Sequence, residues 1–191
     1  MAKLILFNMV TPEGYFAAAD GSLGWHCVDA EFNAFAIQQL RQSSALLFGR
    51  KTFEMMQACW NAPDAFENDP VVCDLMRNTM KYVVSKSFQV SEWENTAFLN
   101  RNLLDEILQL KATSEKDVLI FGSAELSRNF FGLGLIDEYR LMVNPVLLGY
   151  GKPLFKNIEN QIGLRFVDSQ VFESGNVLLR YTPVDQEYLH L

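Results

Sequence analysis

Ala45-Leu46-Leu47-Phe48-Gly49-Arg50-Lys51-Thr52 is an apolar run that ends on glycine and continues into a helical pattern. Val118-Leu119-Ile120-Phe121-Gly122-Ser123-Ala124-Glu125 repeats the design further along the chain. Short runs with no polar alternation read as strands buried on both faces, the mark of a parallel sheet covered by helices. Glycine at the strand end lets a backbone approach closely, and the N–H groups of the helix start that follows attract an anion. Ligands of open parallel sheets bind at the carboxyl ends of the strands, so two such junctions on one edge suit a dinucleotide pyrophosphate. Glycine at a strand-to-helix junction also serves turn geometry alone, and that reading stays open.

Outward from these junctions the β/α alternation continues. Lys3–Val10 reads as a buried strand and Thr11-Pro12-Glu13-Gly14 as a turn, with proline second and glycine fourth. Asp29–Gln42 is a helix: Phe32, Phe35, Ala36 and Leu40 recur at helical spacing, and Asp29 is placed to cap it. Ala45–Phe48 is a strand, Lys51–Cys59 and Pro70–Thr79 are helices, and Asn61–Asp69 is a surface loop. Tyr82–Ser85 is a strand, Asn102–Ala112 a helix, Val118–Phe121 a strand and Ala124–Phe131 a helix. The last third turns to strands at Glu138–Asn144, Leu164–Phe172 and Val177–Tyr181, with a hairpin turn at Glu173-Ser174-Gly175-Asn176. The class is α/β: a central, mostly parallel mixed sheet flanked by helices, with a C-terminal antiparallel hairpin. No repeat, low-complexity tract or Ser/Gly linker divides the chain, so residues 1–183 are expected to form a single domain and 184–191 a tail.

The 191 residues are 49% hydrophobic and carry a net charge of -7, which fits a folded core and argues against nucleic-acid or membrane-surface partners that need a basic face. Fifteen phenylalanines predict an aromatic core. Cys27, Cys59 and Cys73 form no CxxC pair and no even set, so neither disulfide framework nor zinc knuckle is expected, and a reduced cytoplasmic compartment fits. No apolar run reaches the roughly 18 residues of a membrane span.

Candidate chemistry is sparse. Arg50 and Lys51 add charge and Thr52 a hydroxyl at the first junction, and Ser123 is a hydroxyl donor or cap at the second. Asp29 and Glu31, just after Trp25, are placed either to bring an acid near a ligand or to serve as N-cap and helix-dipole partner. His26 reads as a bystander and His190 is next to last. HExxH, GxSxG, Walker A and zinc-ligand spacings are absent, so no metal is expected. Gly132-Leu133-Gly134 reads as a helix C-cap and Gly149-Tyr150-Gly151 as a turn. Such poverty of nucleophiles fits hydride transfer, in which the cofactor carries the difficult chemistry.

The run Gly134-Leu135-Ile136-Asp137-Glu138-Tyr139-Arg140-Leu141, followed by Asn144-Pro145-Val146-Leu147-Leu148-Gly149-Tyr150-Gly151-Lys152-Pro153-Leu154-Phe155, resembles the reductase domain of bacterial riboflavin biosynthesis and its small stand-alone, dihydrofolate-reductase-like relatives. Leu47–Glu54 is similar to the Gly-Arg-x-Thr-aromatic-Glu element shared with dihydrofolate reductase, and Ile120–Leu126 to its second glycine element. The likeness extends over about Lys3 to Tyr181. Thr11-Pro12-Glu13 stands where the family has Ser-Leu-Asp, and the zinc motifs of the deaminase half are absent.

The resemblance implies a dihydrofolate-reductase-like fold with about eight strands and an NADPH-dependent reductase of a pterin-like or pyrimidine-like substrate, comparable to 5-amino-6-(5-phosphoribosylamino)uracil reductase. It implies NADPH held by Gly49, Arg50, Lys51, Thr52, Gly122, Ser123, Ala124 and Glu125, with Ser85 and Lys86 near the adenosine ribose and Val10 bordering the nicotinamide. Trp25, Phe32 and Phe35 are expected to line the substrate pocket, with the proton from Asp29, Glu31 or water. A homodimer follows from family precedent. The rival reading is a non-catalytic nucleotide-binding or structural homodimer of the same fold.

Overall fold

Every residue of the first strand, β1 (Leu4–Val10), is buried, because it offers apolar side chains to both faces of a sheet. The computed structural model describes residues 1–87, 90–156, 158 and 161–184. After β1 come β2 (Tyr15–Ala18), α1 (Ala30–Arg41), β3 (Ser43–Gly49), α2 (Arg50–Trp60), α3 (Ala65–Asn68), α4 (Pro70–Asn78), β4 (Met80–Val84), β5 (Thr96–Leu99) and α5 (Leu103–Thr113). Then follow β6 (Asp117–Phe121), α6 (Ala124–Phe131), β7 (Glu138–Val143), β8 (Gly151–Pro153), β9 (Leu164–Val171) and β10 (Val177–Pro183). Among the described residues eight strands form one sheet in the order β5-β4-β3-β6-β1-β7-β10-β9, and β2 pairs with β8 in a separate ribbon. From β5 to β7 all neighbours are parallel, and β10 runs antiparallel to both β7 and β9.

Strand alternation divides the core in two. Leu4, Leu6, Leu47 and Ile120 meet α5 and α6 through Ile107, Leu126 and Phe130. Ile5, Leu46, Phe48 and Leu119 meet α1, α2 and α4 through Leu40, Phe53, Val72 and Met76. An aromatic group extends the second layer toward β10, with Phe7 centred 5.7 Å from Phe35 and 5.4 Å from Phe121.

Several elements differ from the sequence reading. The expected loop at Asn61–Asp69 contains the single turn α3. The short strands β2, β5 and β8 are fixed by pairing rather than by local pattern, and Gly151 permits one of these pairings: a Cβ there would lie 2.8 Å from Ala17 O. β4 starts two residues early, at Met80, and carries the fully buried Lys81. Its ammonium donates to Met76 O at 3.0 Å, Arg77 O at 2.9 Å and Thr79 O at 2.7 Å, and lies 4.6 Å from the Trp93 ring centroid. Those carbonyls at the end of α4 satisfy the charge that burial would otherwise penalise. Of the expected tail, residues 185–191 lie outside the described residues. No helix of the described residues is long and apolar enough to cross a membrane.

Candidate functional site

β3 and β6 are neighbours, so their carboxyl ends release α2 and α6 side by side. Neither helix start has a side-chain cap, which leaves first-turn N–H groups for a ligand. Gly49, before α2, has φ −79, whereas Gly122 and Ser123, before α6, are both left-handed, at φ +69 and +56. The Gly49 N–H donates to Ser123 Oγ at 3.0 Å, tying one junction to the other. The Gly122 N–H donates to Phe7 O at 3.0 Å, and the Asn8 amide nitrogen, turned toward the sheet, donates to Phe7 O and Gly122 O at 3.1 Å each. Thus β1, β3 and β6 present one bonded rim. Lys51 pairs with Glu125 at 3.3 Å and Arg50 with Glu54 at 3.6 Å, both on the exposed side.

A cleft of about 830 Å³ opens from this rim and runs between α1, α2 and α4. Of the residues singled out in the sequence, Gly49, Arg50, Lys51, Thr52, Ser85, Gly122, Ser123, Ala124, Glu125 and Phe32 line it. Val10 instead packs with Ala124 and Leu154, and Phe35 sits in the core against Phe7 and Phe172. Lys86 follows β4 beyond the lining residues, and Trp25 lies edge-on to His26 at 4.4 Å. Asp29 accepts from the Phe32 N–H at 2.7 Å as the cap of α1. Glu31 accepts from the Glu173 N–H at 2.8 Å, bracing the β9–β10 turn. Neither carboxylate lines the cleft. Glu13 is engaged elsewhere too, accepting from Leu148 and Gly149 N–H at 2.9 Å each, which holds its carboxyl below the usual range. Among the described residues no group of His, Cys, Asp and Glu is arranged for a metal.

The structure adds lining residues the sequence reading passed over. Met55, Met56 and Cys59 follow the already named Thr52 at i+3, i+4 and i+7 along α2 and face the cleft, with Trp60 beside them. That spacing was the signal available. His26 lines it as well, and burial pushes its pKa down to about 4, so its ring is neutral at pH 7. Its loop is held by two fully buried asparagines. Asn144 Oδ1 accepts from the Cys27 N–H, and Asn176 Nδ2 donates to Cys27 O, each at 2.8 Å.

The family model for the RibD C-terminal domain matches residues 2–178. The chain belongs to that family. Within the RibD C-terminal domain family it is similar to the Bacillus subtilis (strain 168) protein YyaP, 34% identical over 182 residues that cover 94% of each chain. A crystal structure of a Shewanella sp. PV-4 protein named for riboflavin biosynthesis superposes with a TM-score of 0.74 at 25% identity, covering 97% of this chain and 100% of that one. Dihydrofolate reductase of Enterococcus faecalis, in complex with NADP(H), superposes with a TM-score of 0.65 at 18% identity, covering 96% and 97%. This RibD C-terminal domain therefore has the dihydrofolate-reductase-like fold, and its relatives by family and fold include reductases.

Proposed function

We propose that the chain is an NADPH-dependent reductase of a small heteroaromatic or carbonyl compound, with pterins and pyrimidines the first substrates to screen. The observation that carries this reading is the paired rim: two uncapped helix starts at adjacent strand ends, joined by the Gly49–Ser123 bond. The rim suits a pyrophosphate, since backbone donors need no net positive charge around them, and a Cβ at Gly122 would crowd Thr52 Cγ2 at 3.3 Å. The first-turn N–H groups of α2 and α6 would hold the pyrophosphate, Ser85 and Lys86 after β4 the adenosine ribose and its phosphate, and the end of β1 the nicotinamide. When bound, the reduced nicotinamide supplies a hydride. This chain's residues supply orientation, and the proton comes from solvent, because Asp29 and Glu31 are engaged in capping and bracing. That same engagement favours a second reading, a non-catalytic nucleotide-binding or structural homodimer. We place the protein in the cytoplasm as a homodimer, and the exposed Phe166, Val167 and Val171 of edge strand β9 give a surface for pairing.

The test compares NADPH and NADH dissociation constants for the wild type, Arg50→Ala and Lys86→Ala at fixed salt, alongside oxidation of NADPH with pterins and pyrimidines. A wild-type preference for NADPH, reduced in either variant, supports a local cationic site for the 2′-phosphate. Equal affinity for both cofactors would sink the NADPH assignment, and binding without turnover on any candidate would favour the second reading.

A further inference from the structure

The cleft is chemically divided along α2. Its first turn carries Arg50, Lys51 and Thr52, and the following turns carry Met55, Met56, Cys59 and Trp60. Helical rise separates Thr52 from Trp60 by about 12 Å, so a ligand lodged near Trp60 is beyond reach of the helix-start donors. Opposite, α1 and α4 contribute Phe32, Ala36, Val72 and Met76. Four of the seven methionines in the chain, Met9, Met55, Met56 and Met76, line the cleft, giving walls that adapt to apolar shapes.

Charge is absent from this apolar half. The cations that line the cleft are Arg50, Lys51 and Lys152 among the described residues. The first two face Glu54 and Glu125 at the rim. Lys152 is on β8 with its Nζ against Gly21, and its charge acts on Asp20. Glu125 is the one lining carboxylate among the described residues, and it is paired. A phosphorylated pyrimidine would bring an anion to walls without a cation to pair with it. A pterin or diaminopyrimidine would bring adjacent N–H donors with no carboxylate to accept them, and a desolvated donor left unpaired weakens binding. Along α1 and the loop before it the polar lining side chains are Asn33 and His26, enough to orient one carbonyl.

From this division we infer that the apolar half of the cleft takes an uncharged, predominantly apolar ring compound with a single carbonyl. The inference rests on the reductase reading and narrows its substrate away from pterins and pyrimidine phosphates.

The experiment uses the full chain and three probes: 1-tetralone, pterin and uridine 5′-monophosphate, each titrated by calorimetry with and without saturating NADPH. Methionine-methyl NMR reports the location. The expected result is 1-tetralone binding at least tenfold tighter than either other probe, with NADPH still bound and with shifts at the Met55, Met56 and Met76 methyls. Met55 is 42% exposed, so Met55→Glu leaves the fold intact and is expected to weaken 1-tetralone at least fivefold. Tighter binding of pterin or the nucleotide overturns the inference. So does binding of none of the three, an unaffected Met55→Glu, or shifts confined to other methyls. If 1-tetralone binds there while NADPH does not bind at all, the ligand class is supported and the reductase reading falls.

Discussion

The two glycine junctions are alike in sequence and unlike in backbone. Gly49 has φ −79, open to any residue, and a Cβ there would make an ordinary 3.5 Å contact with Leu126 Cβ. Gly122 has φ +69 and leads into Ser123 at φ +56. Glycine is therefore a conformational requirement at Gly122 and not at Gly49. Ser123 is the more telling residue, because a non-glycine side chain in the left-handed region costs about 1–2 kcal/mol. Its Oγ accepts the Gly49 N–H, which compensates part of that cost and couples the strained junction to the relaxed one.

Gly122→Val is expected to have the largest effect. A β-branched residue at φ +69 would strain the backbone and crowd Thr52, lowering stability by about 2–3 kcal/mol and NADPH affinity by more than about 100-fold. Denaturant titration and calorimetry well below the melting point measure the two separately. An equal loss in Gly49→Val would erase the contrast between the junctions. Next come two substitutions of Ser123. Ser123→Ala keeps the strain and loses the bond, costing about 1 kcal/mol. Ser123→Gly loses the bond and relieves the strain, so its stability should lie close to wild type. If it melts no higher than Ser123→Ala, strain at this position is not what opposes the bond. Gly49→Ala should change stability by no more than about 0.5 kcal/mol and leave NADPH affinity within about threefold. Smallest is Lys51→Ala: it breaks a pair whose members are both 71% exposed, for at most about 0.5 kcal/mol in a thermal melt at low salt.

Legibility from sequence followed the same distinction between local and distant causes. β1, β3, β6 and the helices α1, α2, α4, α5 and α6 announce themselves by apolar runs or helical spacing. β2 and β8 escape such reading because each exists only when paired with the other, and β5 because it needs β4. In the site, the rim was readable at Gly49 and Gly122 since glycine punctuates strand ends. The apolar half was not, because Met55, Met56 and Met76 belong to the same apolar stripes that build a core, and only the space left between α1, α2 and α4 turns them into a wall. Asp29 carried two roles in the sequence, and its 2.7 Å bond to the Phe32 N–H places it at the helix cap.

The hold on Cys27 bears on the order of synthesis. β1 pairs with β6 and β7, Leu4 opposite Val118 and Ile5 opposite Glu138, so a nascent chain leaving the ribosome carries its central strand unpaired until the Val118 region has been made. The α2 and α4 helices, by contrast, complete their own hydrogen bonds within a few residues of emergence. The loop bearing His26 waits for Asn144 and then Asn176. Contacts this distant in sequence form late. A nascent chain stopped before residue 176 therefore lacks the Asn176 hold on the Cys27 backbone, so the loop bearing His26 is anchored only after the strands that carry both glycine junctions have been made.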